Sequence, residues 1–292
     1  MNRHAASLAL WAGTLCSLLT LLCARVVTAQ NVAVLPGRIV LDGSTRTATA
    51  FVTNHGDTES TFRVSLRYWR MDELGQLVEA DSLAAAADNF AGPVVRYSPR
   101  RMVIPPGSSQ TLRLMVRRPP GLEVTDWEYH AHLSIQSVPS VPNLKEVVDP
   151  EIPVEEDAVV TRPVVSLETL VPVIVRIGRP DAKLEMTGTS LIAGAEQPTV
   201  RVEIARRGQS SVYGDMIVDY VSADGIRTRL IESGGVAIYT DVPRRLLDLD
   251  FTRWPQLDPH AGKLEIDYRT DKRTNNEVLL SEVISLDDLK GR

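Results

Sequence analysis

Along most of the chain, apolar and polar residues alternate with a period of two. Residues 61–72, TFRVSLRYWRMD, are the clearest case: Phe62, Val64, Leu66 and Tyr68 interleave with Arg63, Ser65, Arg67 and Trp69, so one face is apolar and the other mostly polar. In RIVLDGSTRTATAFVTNHG (38–56) a strand, a Gly-Ser turn and a second strand follow one another. Thr47, Thr49, Phe51 and Thr53 alternate there with Ala48, Ala50 and Val52, and Asn54-His55-Gly56 supplies turn chemistry. SSQTLRLMVRRP (108–119) and WEYHAHLSIQSVP (127–139) predict two more strands. Pro105-Pro106-Gly107 turns the chain ahead of the first, because proline cannot donate to a ladder and glycine relaxes the corner. Helical reading is confined in this region to the short SLAAAADNF (82–90). Turn signals every ten residues or so, with almost no helical period, predict a β-sandwich.

The texture changes at 138–163. VPSVPNLKEVVDPEIPVEEDAVVTRP holds five prolines and an acidic run from Glu151 to Asp157, and reads as a long loop. Next comes VVSLETLVPVIVRIGRP (164–180), apolar on both alternations, which is more hydrophobic surface than one sandwich face buries. Gly178-Arg179-Pro180 ends it and marks a domain boundary. The second half repeats the β texture in KLEMTGTSLI, TVRVEIARRG, GDMIVDYVSADGIRTRLIESGGVAIY, RRLLDLDF, KLEIDYRT and NEVLLSEVISL, with a hairpin turn at Ala223-Asp224-Gly225. The expected organisation is residues 1–29, a first domain over 30–178 with the loop 139–163, and a second over 179–292.

The N-terminal segment changes the compartment. Arg3 and His4 precede an apolar run over 5–24, and Val27-Thr28-Ala29 before Gln30 fits signal-peptidase cleavage, the alternative being a retained membrane anchor. Leu15 before Cys16 and Leu22 before Cys23 do not fit a lipoprotein site. Both cysteines lie in this segment, so the exported chain of 263 residues has none and must be held by an ordinary core. It carries 30 basic and 37 acidic residues, which argues against nucleic acid as partner. Only 5 of the 32 basic residues of the full chain are lysine, so its cations are mainly guanidinium forks suited to carboxylates.

Catalytic patterns are missing. There is no phosphate-binding glycine loop, CxxC pair or GxSxG elbow. His130 and His132 would share a strand face, with Glu128 beside them, but no further ligand is near in sequence; polar residues at such positions are expected on the exposed side, and no metal or cofactor is expected. The acidic loop is a poor frame for a catalytic carboxylate pair. Arg113, between Leu112 and Leu114, is expected to be a buried or half-buried structural arginine needing an acidic partner, and Arg100 and Arg101 are assigned no binding role.

Several stretches taken in order resemble the periplasmic pilus chaperones of the chaperone–usher pathway, the PapD-like family, in a divergent form. They are RIVLDG…ATAFVTNHG, SPRRMVIPPGSSQTLRLMVRRPPGL, EYHAHLSIQSVP and VPVIVRIGRP in the first half, and RRGQSSVYGDMIV and GKLEIDYRT in the second. The resemblance spans about residues 32–270. It implies two Ig-like β-sandwich domains in a boomerang, and a non-enzymatic periplasmic function. A pilus or fimbrial subunit lacking its last strand would borrow one from the chaperone until an outer-membrane usher exchanges it. Residue by residue, the family's cleft arginine matches Arg38, whose alternative is a solvated residue at a strand start. The second basic anchor falls at Val175, with Arg176 one place on, an offset that reverses the side chain unless a bulge restores it. The donor positions match Val165, Leu167 and Thr169. Partners implied are the subunit, the usher and, through an exposed strand, a second copy. No small-molecule substrate is implied. An Ig-like structural component of the fibre is the other reading.

Overall fold

A computed structural model describes residues 32–117, 126–139, 166–192, 199–271 and 275–289. Residues 1–31, with the expected signal peptide 1–29, residues 140–163 of the long loop and Val165 lie outside them. Among the described residues the period-two pattern becomes strand. The first half forms β1 (Val32–Leu35), β2 (Ile39–Leu41), β3 (Thr47–Asn54), β4 (Ser60–Arg67), β5 (Trp69–Met71), β6 (Leu77–Glu79), β7 (Val95–Ser98), β8 (Arg101–Ile104), β9 (Ser109–Val116), β10 (Trp127–Val138) and β11 (Glu168–Ile177). One sheet runs β1-β3-β9-β7 and the other β2-β11-β10-β4-β8. Their inner faces bury Ala50, Val52, Phe62, Val64, Leu112, Leu114, Leu133, Ile135, Val173 and Val175 in one core. Each large side chain so buried contributes about 1.5–3 kcal/mol before the entropy of ordering it.

The second half forms β12 (Ala182–Ile192), β13 (Thr199–Gly208), β14 (Val212–Val221), β15 (Arg227–Ile238), β16 (Arg244–Asp250), β17 (Lys263–Thr270) and β18 (Val278–Ser285). They make the sheets β12-β13-β16 and β15-β14-β17-β18, closed on Val202, Ile204, Val218, Leu264, Ile266 and Tyr268. The architecture is all-β, two sandwiches in series. Between them Gly178 adopts φ +73, and a Cβ there would come within 2.1 Å of Asp126 Oδ1, the oxygen that accepts from Arg179 N at 2.7 Å. Glycine is required at that turn for both reasons.

Three expectations need correction. The stretch 82–90 is not an α-helix; a 3-10 turn over Asp81–Ala86 is all it forms, and helical structure among the described residues is limited to such short turns. Arg113 is exposed, because alternation along β9 sends Leu112 and Leu114 into the core and Arg113 to solvent. His130 and His132 are each 1% exposed rather than on an open face, because the second sandwich covers that side of β10.

Candidate functional site

The outward face of the β2-β11-β10-β4 sheet carries the site. Ile39 and Leu41 point into the core, which sets Arg38 and Val40 on the opposite side, and β2 lies parallel to β11 with Val40 beside Ile174. β10 and β11 pair without a register break, Glu128 opposite Arg176, His130 opposite Ile174 and His132 opposite Pro172. No bulge intervenes, so Val175 is buried in the core and Arg176 faces outward. Pro36-Gly37 bends the chain in front of Arg38, and the second sandwich supplies the facing wall.

The result is a cleft of about 720 Å³ lined by Arg38, Arg176, Ser211, Tyr213, Thr270 and Asp271, among others. Its two arginines are in different electrostatic situations. Arg176 Nε donates to Glu128 Oε2 at 2.9 Å, and Arg176 Nη2 to the Ser211 carbonyl at 3.0 Å. The other Glu128 oxygen accepts from Ser211 N at 3.1 Å, so a fully buried carboxylate ties the arginine to the second sandwich. Arg38 has no such acid. Its guanidinium lies 4.1 Å from the centroid of the Tyr213 ring, and Nε and Nη2 are buried with no hydrogen-bond partner among the described residues. Burial, then repulsion from Arg176, holds its pKa below the ordinary arginine value. It remains a cation, with Nε and Nη2 unsatisfied at the wall of the cleft.

Deeper in the same seam, the His130 and Tyr239 rings stack at 5.5 Å, and Tyr239 Oη lies 3.5 Å from His132 Nε2. Asn89 Nδ2 donates to Thr240 Oγ1 at 3.2 Å, and Met71 N to Asp241 Oδ2 at 3.0 Å. Burial pushes Tyr239 up to about 12 and His132 down to about 4, with His130 adding to the latter. His130 is itself lowered, first by burial. Among the described residues no group of three or more His, Cys, Asp or Glu is placed to hold a metal ion.

Leu167 and Thr169, which the resemblance matches to donor positions, sit at the other end of β11. β2 covers only Val173–Val175, so over Glu168–Pro172 the strand has β10 on one side and no strand on the other among the described residues. Leu167 is 38% exposed, and its backbone is tied to Ser137 through bonds of 2.8 Å in both directions. Thr169 is half-buried; together with Leu167 it continues the row Val171, Val173, Val175 beyond the sandwich end. Glu168 is pinned by Arg67 at 3.3 Å and by the Ser134 hydroxyl. Of the residues named from sequence, the cleft brings Arg38 and Arg176 together; Leu167 and Thr169 lie apart along the strand. Arg100 sits over the Tyr97 ring and Arg101 pairs with Arg63, neither of them lining the cleft.

Sequence reasoning missed Tyr213, Ser211 and Tyr239, and undervalued Glu128. Glu128 carried a signal, since it shares the i, i+2 face of His130 and His132. The tyrosines carried none, because their place depends on how the sandwiches meet.

The chain is similar to pilus chaperones. Among solved structures it matches the YadV chaperone (TM-score 0.45, 11% identity, 87% of this chain and 98% of that one) and the Pseudomonas aeruginosa CupB2 chaperone (0.43, 13%, 87% and 99%). It also matches a structure of Salmonella enterica SafA pilin in complex with the SafB chaperone (0.43, 14%, 88% and 97%). No family model and no curated protein matches. With identities this low and TM-scores below 0.5, function has to be read from the chain's own residues.

Proposed function

We propose that the chain is a periplasmic chaperone for pilus or fimbrial subunits, which binds without catalysis and hands its cargo to an outer-membrane usher. The subunit's incomplete β-domain pairs with the open edge of β11 ahead of Pro172, with Val165, Leu167 and Thr169 as donor side chains. Its terminal carboxylate sits on Arg38, with Arg176 adding positive field from within its own ion pair. The observation that carries this reading is the Arg38 guanidinium, whose Nε and Nη2 are buried and unpartnered among the described residues, beside a cleft on the same sheet as that edge. Leaving such donors unmade costs about 1–3 kcal/mol, which an arriving carboxylate returns through charge-assisted bonds. Backbone bonds along such an edge give affinity, and a fixed charge sets the register.

The test is capture of the tagged protein from periplasm of its own host, read by intact mass. A stoichiometric small β-protein is expected, lost when its C-terminal residues are trimmed and lost with Arg38→Ala while that variant stays folded. Recovery of the same partner by Arg38→Ala would remove the anchor. Incorporation of the chain into purified fibres would replace the chaperone reading with that of a structural component.

A further inference from the structure

We infer that Tyr213 is the positioning residue of the anion site: its ring holds the Arg38 guanidinium at the cleft wall without taking up Nε or Nη2, making the site a composite of both sandwiches. This rests on the carboxylate-anchor reading of Arg38. An arginine side chain alone has some 2 kcal/mol of rotamer entropy and would roam a cleft of this size. Arg38 comes from a bend rather than from a strand interior, and its Nε and Nη2 have no hydrogen-bond partner among the described residues. What lies against it is the Tyr213 ring, centroid 4.1 Å from Cζ, presented by β14 of the second sandwich. A face-on aromatic attracts a guanidinium through its quadrupole without occupying an N–H. An acid in the same place would hold the arginine equally well and quench it as an anion receptor. Glu128 does this to Arg176 in the same cleft.

The ring is itself located. Val212 and Gly214 on either side of Tyr213 are buried, which fixes the strand, and Tyr213 pairs with Ala237 on β15. Its hydroxyl passes over Gly235, where a Cβ would approach Oη to 2.8 Å, so the missing side chain makes room for the ring. Because the stack needs only the ring, phenylalanine should replace tyrosine at this site and an aliphatic residue should not.

The experiment uses the full exported chain and acetate, titrated at constant ionic strength and followed by the Arg38 Nε–Hε signal in nitrogen–proton correlation spectra. In the unsubstituted protein that proton should be displaced upfield by the ring current before any acetate is added, and acetate should move it. Tyr213→Phe should keep both the displacement and the affinity. Tyr213→Leu should lose the upfield displacement and bind acetate roughly three- to thirty-fold more weakly, the range a partly desolvated cation–π contact gives. Equal acetate binding by Tyr213→Leu and Tyr213→Phe would overturn the positioning role while leaving Arg38 as the anchor. No response of Arg38 to acetate in the unsubstituted protein would sink both readings together. Should Tyr213→Leu fail to fold, the upfield displacement in the unsubstituted protein still decides: a signal at the ordinary arginine position means the ring does not hold the guanidinium.

Discussion

Glu128 decides what Arg176 can do. Its carboxylate is buried, and it accepts from Arg176 Nε and Ser211 N, so the pair is a joint between the sandwiches. Removing the cation leaves the acid uncompensated in a dry place, which costs more than the pair itself is worth. Arg176→Ala should therefore lower unfolding stability by about 3 kcal/mol, with Glu128→Gln restoring part of it in the double variant. Urea denaturation of the four proteins checks this; a single variant as stable as the parent would leave Arg176 a free cleft cation. The contrast with Arg38 was only partly legible. The sequence matched Arg38 to the cleft but set the second anchor position at Val175, with Arg176 expected to point away unless a bulge intervened. Without any bulge, Val175 is in the core and Arg176 in the cleft, held by an acid 48 positions upstream. Arg113 misled for the opposite reason: apolar neighbours in sequence are on the other face of a strand.

At the scale of elements, alternation predicted strands well because each is amphipathic by itself and registers against its neighbours. It did less well where an element's fate depends on cover. The apolar run 164–180 reads as one long strand, whereas the strand begins at Glu168, held there by Arg67 and Ser134, and only its second half gains β2 as a neighbour. SLAAAADNF lacks a side-chain cap at its start and forms only a 3-10 turn. The stretch of β11 with no second strand neighbour among the described residues gives an element-level prediction. Leu167→Asp changes a side chain outside the core, so the circular-dichroism spectrum and melting temperature should stay those of the parent. Subunit capture should fall at least tenfold, because a charge would enter an apolar pocket of the partner. If the variant captures subunit as well as the parent does, pairing along this edge is wrong.

For the molecule as a whole, the seam between the sandwiches is the feature no local pattern predicts, since each of its faces reads in sequence as a solvated one. Two histidines are buried in it as neutral rings. Packed around them are Tyr68, Asn89, Phe90, Tyr239, Thr240 and Asp241, with Glu128 and Arg70 near enough to bias their charge. His130 Nε2, His132 Nδ1 and Asp241 Oδ1 are buried without partners among the described residues. Burial lowers both histidines, so the closed seam disfavours their protonation while an unfolded or separated chain takes the proton near the ordinary value of about 6.5. Stability is thus full above that value and is lost as pH falls from there toward about 4, where His132 titrates in place. For His132 alone the loss by pH 5 is about 2 kcal/mol. Above pH 5 the carboxylates that arginines hold low, such as Asp219 and Asp248, stay charged, so the slope belongs to the histidines. The melting temperature should therefore drop between pH 7 and pH 5. His132→Gln, which keeps a polar group facing Tyr239 and cannot titrate, should flatten that drop. If the parent and the glutamine variant lose stability in parallel over that interval, His132 is not what makes the seam sensitive to acid.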